Sequence, residues 1–173
     1  MPTNLIAFTG LATSGKTTAA VPLVSKGFFP VSFATPIKRM IQVLTLCSEK
    51  NERPEALCGK SLREAYQSLG TEWGRKMIHD KIWVEIGRRA ITSELLCEDN
   101  RGVVIDDLRF NNEALCIKDM GGIIIEITRP GLTKMEHASE AGISPELVDI
   151  TLANNGSKAD LQLAVLDILA SRS

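Results

Sequence analysis

Residues 8–18 read Phe-Thr-Gly-Leu-Ala-Thr-Ser-Gly-Lys-Thr-Thr, and Gly10 to Thr17 fit the pattern G-x-x-x-x-G-K-[ST] at every position. Few local sequences constrain a fold as tightly. Such a loop works only where a buried strand runs into the first turn of a helix, so that successive backbone N–H groups converge on one anion. Both flanks comply. Leu5-Ile6-Ala7-Phe8 is an apolar run of strand length, and Lys16 to about Lys26 is compatible with a helix. In this arrangement Ala12, Thr13, Ser14, Gly15, Lys16, Thr17 and Thr18 surround the phosphate chain of a nucleotide. Lys16 reaches the β- and γ-phosphates, and the Thr17 hydroxyl ligates Mg²⁺.

The rest of the chain alternates strand and helix patterns. Gly27-Phe28-Phe29-Pro30 reads as a turn and Val31-Ser32-Phe33 as a short strand. Pro36 opens a helix whose Ile37, Met40, Ile41 and Leu44 form a stripe facing a core. A polar loop from Ser48 to Gly59 precedes two helices, Leu62 to about Ile78 and Trp83 to about Cys97, with Gly70-Thr71 a weak point in the first. Val103 to Asp106 is a continuous apolar strand, Asn111 to Met120 a helix, and Gly122 to Ile127 a further buried strand. Arg129 to Val148 reads as a surface excursion. A strand at Asp149 to Leu152, a turn at Asn154-Asn155-Gly156 and a helix from Ser157 follow, with Leu161, Val165, Ile168 and Leu169 at core spacing. Five strands interleaved with helices behind such a loop predict an α/β fold with a doubly wound, five-stranded parallel sheet. At 173 residues the chain suits one domain. Its expected parts are a core (1–33, 101–129 and 149–173), a helical region at about 34–100 and a lid at about 130–148.

A formal net charge of −1 and a pI near 6.1 supply no global field to gather a nucleic acid polymer. The four cysteines, Cys47, Cys58, Cys97 and Cys116, have neither zinc-site nor redox-pair spacing, and thiols so scattered suit a reducing cytosol. No apolar run approaches the ~20 residues that span a bilayer. The expectation is a soluble cytoplasmic protein without a membrane partner.

In doubly wound sheets ligands bind beyond the carboxyl ends of the strands, so those ends should carry the chemistry. Asp106-Asp107 ends an apolar strand, the layout of a carboxylate that holds Mg²⁺ and its water. Asp107 is the expected metal-side residue, because Asp106 continues the strand. Arg109 and Arg129 leave neighbouring strand ends, and their guanidinium forks suit phosphoryl oxygens. Arg63, Tyr66, Gln67 and Trp73, in the helical region, combine a phosphate-binding cation with aromatic faces and an amide that can read a base edge. N-K-x-D, which would read guanine in a GTPase, is absent. The size and the helical insertion between the second and third strands point to a small-molecule or nucleotide kinase.

Five blocks in order resemble the bacteriophage deoxynucleoside monophosphate kinases. They are Gly10–Thr18; Ala34-Thr35-Pro36-Ile37-Lys38; Gln67-Ser68-Leu69-Gly70-Thr71 running on to Ile82-Trp83-Val84; Asp107-Leu108-Arg109 through Arg129-Pro130-Gly131; and His137 to Gly142 with Asn155-Gly156-Ser157. The resemblance implies an adenylate-kinase-like fold with an acceptor-binding helical region and a lid. It implies transfer of the ATP γ-phosphate, with Mg²⁺, to a deoxynucleoside monophosphate, giving diphosphates for phage DNA synthesis in the host cytoplasm. By position, Lys16 and Thr17 serve ATP and Mg²⁺, and the Asn154-Asn155-Gly156 turn is similar to the adenine-contacting loop, with Asn155 and Gly156 at the nucleotide. Lys38, Arg63, Gln67 and Thr71 become acceptor-side residues, joined by Tyr66, Trp73 and Trp83. Asp107 and Arg109 fall between the two sites and Arg129 begins the lid. Some relatives carry Asp after the loop lysine, where this chain has Thr17, the ordinary residue of such loops.

A monophosphate oxygen is already anionic near neutral pH, so no strong base is required and neither His79 nor His137 is assigned one. The catalytic set is Lys16, Asp107, Arg109 and Arg129. Two alternatives share the donor side: a kinase for another small acceptor such as dephospho-coenzyme A, and a non-catalytic nucleotide-binding switch. A homodimer stays open.

Overall fold

The structure is a computed structural model that describes residues 4–46, 54–132 and 142–171. The chain divides into two compact units, Met1–Ser32 with Arg88–Ser173, and Phe33–Gly87.

The first unit is built on β1 (Leu5–Thr9), β2 (Phe28–Val31), β3 (Gly102–Ile105), β4 (Ile123–Thr128) and β5 (Ile150–Ala153). They form one sheet in the order β2-β3-β1-β4-β5 with every pair parallel. The helices are α1 (Lys16–Ser25), α5 (Asn111–Asp119) and α6 (Lys158–Ala170). The apolar strand runs are continuous because both faces of the sheet are covered. Ile6, Phe8, Ile125 and Ile127 pack with Ala19 and Leu23 of α1 and with Leu161, Val165 and Leu169 of α6 in one buried cluster. Residues of opposite parity, Leu5, Ala7 and Ile124, are also fully buried, and Ile117 of α5 meets Leu5 around Gly122. β1 is central, with β3 on one side and β4 on the other, so the loops that leave β1, β3 and β4 open above adjacent parts of one sheet edge.

Most expected elements fall within a residue or two of their places. The second strand is an exception, since it begins at Phe28, where the sequence suggests a turn. β2 is an edge strand, so Pro30, which lacks an N–H, is tolerated there, and Phe28 supplies a buried side chain.

In the second unit α2 (Thr35–Thr45) precedes a short 3₁₀ turn at Glu55–Leu57 and α3 (Leu62–Gln67). The expected α2 stripe is narrower than read. Ile41 and Thr45 are buried and Ile37 is half-buried, whereas Met40 and Leu44 are exposed. Ser61 caps α3 in a reciprocal box with Glu64. The Ser61 backbone N–H and hydroxyl, both bonded to the Glu64 carboxylate, lower its pKa from 4.5 to about 2. The chain then widens into a π-helix over Ser68–Ile78, the stretch where Gly70-Thr71 suggests weakness. α4 (Ile82–Leu95) follows and crosses the boundary at Gly87.

Candidate active site

The Gly10–Thr18 loop joins β1 to α1 in the first unit. Two glycines make its turn possible. Gly10 has φ +128°, and a Cβ there would lie 2.3 Å from the Ile127 carbonyl oxygen; Gly15, which caps α1, has φ +113°. Thr13 carries a side chain in the left-handed region, φ 63°, a strain that a binding loop can store. Lys16 is buried, and its Nζ donates to the carbonyls of Gly10 and Leu11 at 2.8 Å each. Ser14 is fully buried, and its Oγ has no hydrogen-bond partner among the described residues. A buried hydroxyl left so costs about 1–3 kcal/mol, which a bound anion would return.

Each of the two adjacent aspartates meets a hydroxyl. Thr17 Oγ1 donates to Asp106 Oδ2 at 2.7 Å, and Ser32 Oγ donates to Asp107 Oδ2 at 2.6 Å. The sequence argument prefers Asp107 beside the metal. In the structure β3 ends at Ile105, and Asp106, the first residue beyond the strand, is the aspartate that meets the Thr17 hydroxyl, whereas Asp107 meets Ser32. Thr17 Oγ1 and the Asp106 carboxylate form a pair of hard oxygen donors beside the loop. That donor set fits Mg²⁺, which takes one or two protein oxygens and completes its shell with substrate phosphates and water. Among the described residues no group of three or more His, Cys, Asp or Glu gathers into a metal cluster.

An open cleft of about 330 Å³ flanks the loop, lined by Thr13, Lys16, Thr17 and Thr18, by Arg129 after β4, and by Asn154, Gly156 and Lys158 after β5. Asn155, exposed, is not among its lining residues. A second cavity of about 520 Å³ opens on the other flank, where Arg109 and Arg129 meet Gly10, Leu11, Ser14 and Glu126. The two arginines therefore share this cavity, and Arg129 also reaches the first. The buried Glu113 carboxylate accepts the backbone N–H groups of Arg109 (3.1 Å) and Phe110 (3.2 Å), fixing the turn that presents Arg109. Asn111 and Ser144 clasp each other, amide to hydroxyl and backbone N–H to amide oxygen, at 2.8 Å. Of the expected lid, 133–141 lies outside the described residues, and His137 with it; so does Cys47.

Three contributors escape the sequence reading, Ser32, Glu113 and Lys158, and Asn154 enters it only as part of the turn after the last strand, without its bond to the loop. Glu113 alone had a local signal, as an acidic residue three positions into α5, where it caps the helix.

The expected acceptor residues are in the second unit. Trp83 is almost fully buried (2% exposed), and its ring N–H donates to the Gly70 carbonyl at 2.7 Å. It packs against the π-helix, where a Cβ on Gly74 would come within 2.5 Å of its ring. That corrects its assignment as a substrate-facing aromatic: Trp83 is a core residue. Trp73, whose ring centroid is 6.2 Å from that of Trp83, is 37% exposed. Lys38 and Arg63 are exposed, and Tyr66, Gln67 and Thr71 are half-buried. No disulfide joins the described cysteines, Cys58, Cys97 and Cys116. Among the described residues no helix is long and apolar enough to cross a membrane.

Comparison with known proteins places the chain in one family. The deoxynucleotide monophosphate kinase family matches residues 45–165. A protein of Acanthamoeba polyphaga mimivirus, provisionally named a deoxynucleotide monophosphate kinase, is 35% identical over 87% of this chain and 88% of its own length. The deoxynucleoside-5'-monophosphate kinase of Escherichia phage T5 is 28% identical over 73% of this chain, which spans 53% of that longer protein. Among solved structures, shikimate kinase from Acinetobacter baumannii shares the fold with a TM-score of 0.56 at 14% identity, over 98% of this chain and 94% of its own.

Proposed function

The chain belongs to the deoxynucleotide monophosphate kinase family, and we propose that it transfers the γ-phosphate of ATP to a deoxynucleoside monophosphate, yielding ADP and the deoxynucleoside diphosphate. The observation that carries the donor side is the braced phosphate loop: a buried lysine, an unpartnered buried Ser14 hydroxyl and a threonine–carboxylate pair converge at one strand-to-helix turn.

ATP enters the cleft with its base beside Gly156 and Lys158 and its phosphates in the loop. Lys16, now turned toward carbonyls of its own loop, moves its charge onto the β- and γ-phosphates. Thr17 and Asp106 would hold Mg²⁺, which would supply charge neutralisation at the phosphates. Asp107, tied to Ser32, sits one residue beyond that pair and takes a supporting place. Arg109 and Arg129 approach the transferring group and offset the negative charge that spreads over its equatorial oxygens. The acceptor oxygen is already anionic, so the chain contributes alignment, water exclusion and positive charge rather than a base. Lys38, Arg63, Tyr66, Gln67, Thr71 and Trp73 bind the acceptor. Residues 130–148 form the lid, which keeps bound ATP from water. Diphosphates made this way feed DNA synthesis, in the host cytoplasm if the gene is viral.

ADP release from Mg·ATP tests the reading, with each common deoxynucleoside monophosphate, the matching ribonucleotides and dephospho-coenzyme A offered separately. The expected result is rapid ADP release with one or more deoxynucleotides and little without an acceptor. Stimulation by dephospho-coenzyme A alone would move the chain to a different acceptor. ATP binding with no stimulation by any acceptor would favour a nucleotide switch.

A further inference from the structure

We propose that Asn154 is a positioning residue of the phosphate loop, and that its side-chain amide orients the Ser14–Gly15 peptide for phosphate binding. The inference rests on the reading of that loop as the nucleotide-phosphate site. Asn154 follows β5, far from the loop in sequence, yet its Nδ2 donates to the Ser14 carbonyl oxygen at 2.8 Å. In a planar trans peptide the C=O and the following N–H point in opposite directions. Holding the Ser14 carbonyl toward Asn154 therefore aims the Gly15 N–H the other way, away from the amide.

Two further observations make the contact a built one. A Cβ on Gly15 would lie 2.6 Å from Asn154 Nδ2, so the glycine leaves the room that the amide occupies. The Asn154 backbone N–H donates to the Thr128 carbonyl at 2.7 Å, anchoring the residue to the end of β4, one position before Arg129. The clamp is thus mounted on the sheet rather than on a free loop. It also lines the cleft beside Gly156 and Lys158, so the loop proposed to flank the base and the loop proposed to cradle the phosphates share one hydrogen bond. Phosphate recognition would then be pre-set by a residue that touches no phosphate, because less of the loop has to be ordered on binding.

Inorganic tripolyphosphate separates this role from contact with the base. Binding of tripolyphosphate and of ATP, both with Mg²⁺, is measured by calorimetry for wild type, Asn154→Ala and Asn154→Asp. The aspartate variant keeps the shape but loses the donor and faces a carbonyl, and thermal unfolding of all three reports the fold. The expected result is that both variants lose about five- to tenfold in affinity for tripolyphosphate and by the same factor for ATP, with Asp at least as impaired as Ala. Weakened ATP binding with unchanged tripolyphosphate would make Asn154 a base contact and overturn the proposal. A lowered unfolding temperature with both affinities unchanged would reduce it to a structural bond and overturn it as well. Failure of wild type to bind either compound would defeat the phosphate-loop reading itself, and the proposal with it.

Discussion

The two units hold their chemistry in different ways. In the first, candidate side chains sit at or just beyond strand ends and each is braced by a named partner: Lys16 by two carbonyls of its own loop, Asp106 by Thr17, Asp107 by Ser32, and the Arg109 turn by buried Glu113. In the second, Arg63, Tyr66, Gln67, Thr71 and Trp73 ride on α3 and the π-helix, which are held from behind by Trp83 through the Gly70 carbonyl and the gap at Gly74. The sheet fixes individual atoms, whereas the helical unit fixes a surface. The first suits a phosphate chain common to every nucleotide, and the second suits the acceptor site proposed above.

Four substitutions and one pH series would break or sharpen that contrast, from the largest expected effect down. Lys16→Ala should lower kcat by about a thousandfold or more, since it removes charge at the transferring group; circular dichroism should show the fold retained. Turnover within tenfold of wild type would remove Lys16 from the chemistry. Asp106→Asn should raise the Mg²⁺ concentration for half-maximal rate by about 10- to 100-fold, on the scale seen when a metal's supporting residues are lost. Asp107→Asn should raise it less. The reverse order in a Mg²⁺ titration would return the metal to Asp107.

Gly74→Ala belongs to the other unit and should act on stability. Its methyl would meet the Trp83 ring, costing about 1–3 kcal/mol, or about 2–4 °C in Tm per kcal/mol. The acceptor KM should rise more than the ATP KM; equal changes in both would mean that the helical unit serves the two substrates alike. The smallest effect concerns Glu64. Its folded pKa, about 2, lies below its ordinary 4.5. The stability it contributes is therefore present above pH 4.5 and is lost as pH falls toward 2. Urea unfolding of wild type and Ser61→Ala should differ near neutral pH and converge below pH 4.5; a constant difference would mean that the box works without the carboxylate's charge.

Much of this was readable from residues alone, for physical reasons. The glycine pattern admits one backbone path, and runs such as Val103-Val104-Ile105 and Ile123-Ile124-Ile125 have no stable place except between two layers of helices. Legibility failed where a residue's meaning depends on neighbours remote in sequence. Gly27 to Pro30 resembles a turn until β3 pairs with it as an edge strand. Trp83 reads as one of the acceptor-side residues until Gly70 and Gly74 make space for it inside. Whether Asp106 or Asp107 meets Thr17 depends on where β3 stops, a difference of one residue that composition does not encode. Asn154 is legible only as part of a turn after the last strand; its bond to the loop is not, because the partner is 140 positions away.

The most direct test follows the label from [γ-³²P]ATP in a single turnover with a deoxynucleoside monophosphate, using wild type and Lys16→Ala. Label appearing in the deoxynucleoside diphosphate with wild type, and lost with Lys16→Ala, is the expected result. Label released as inorganic phosphate at one rate, with or without acceptor, would contradict phosphoryl transfer and leave a nucleotide hydrolase in its place.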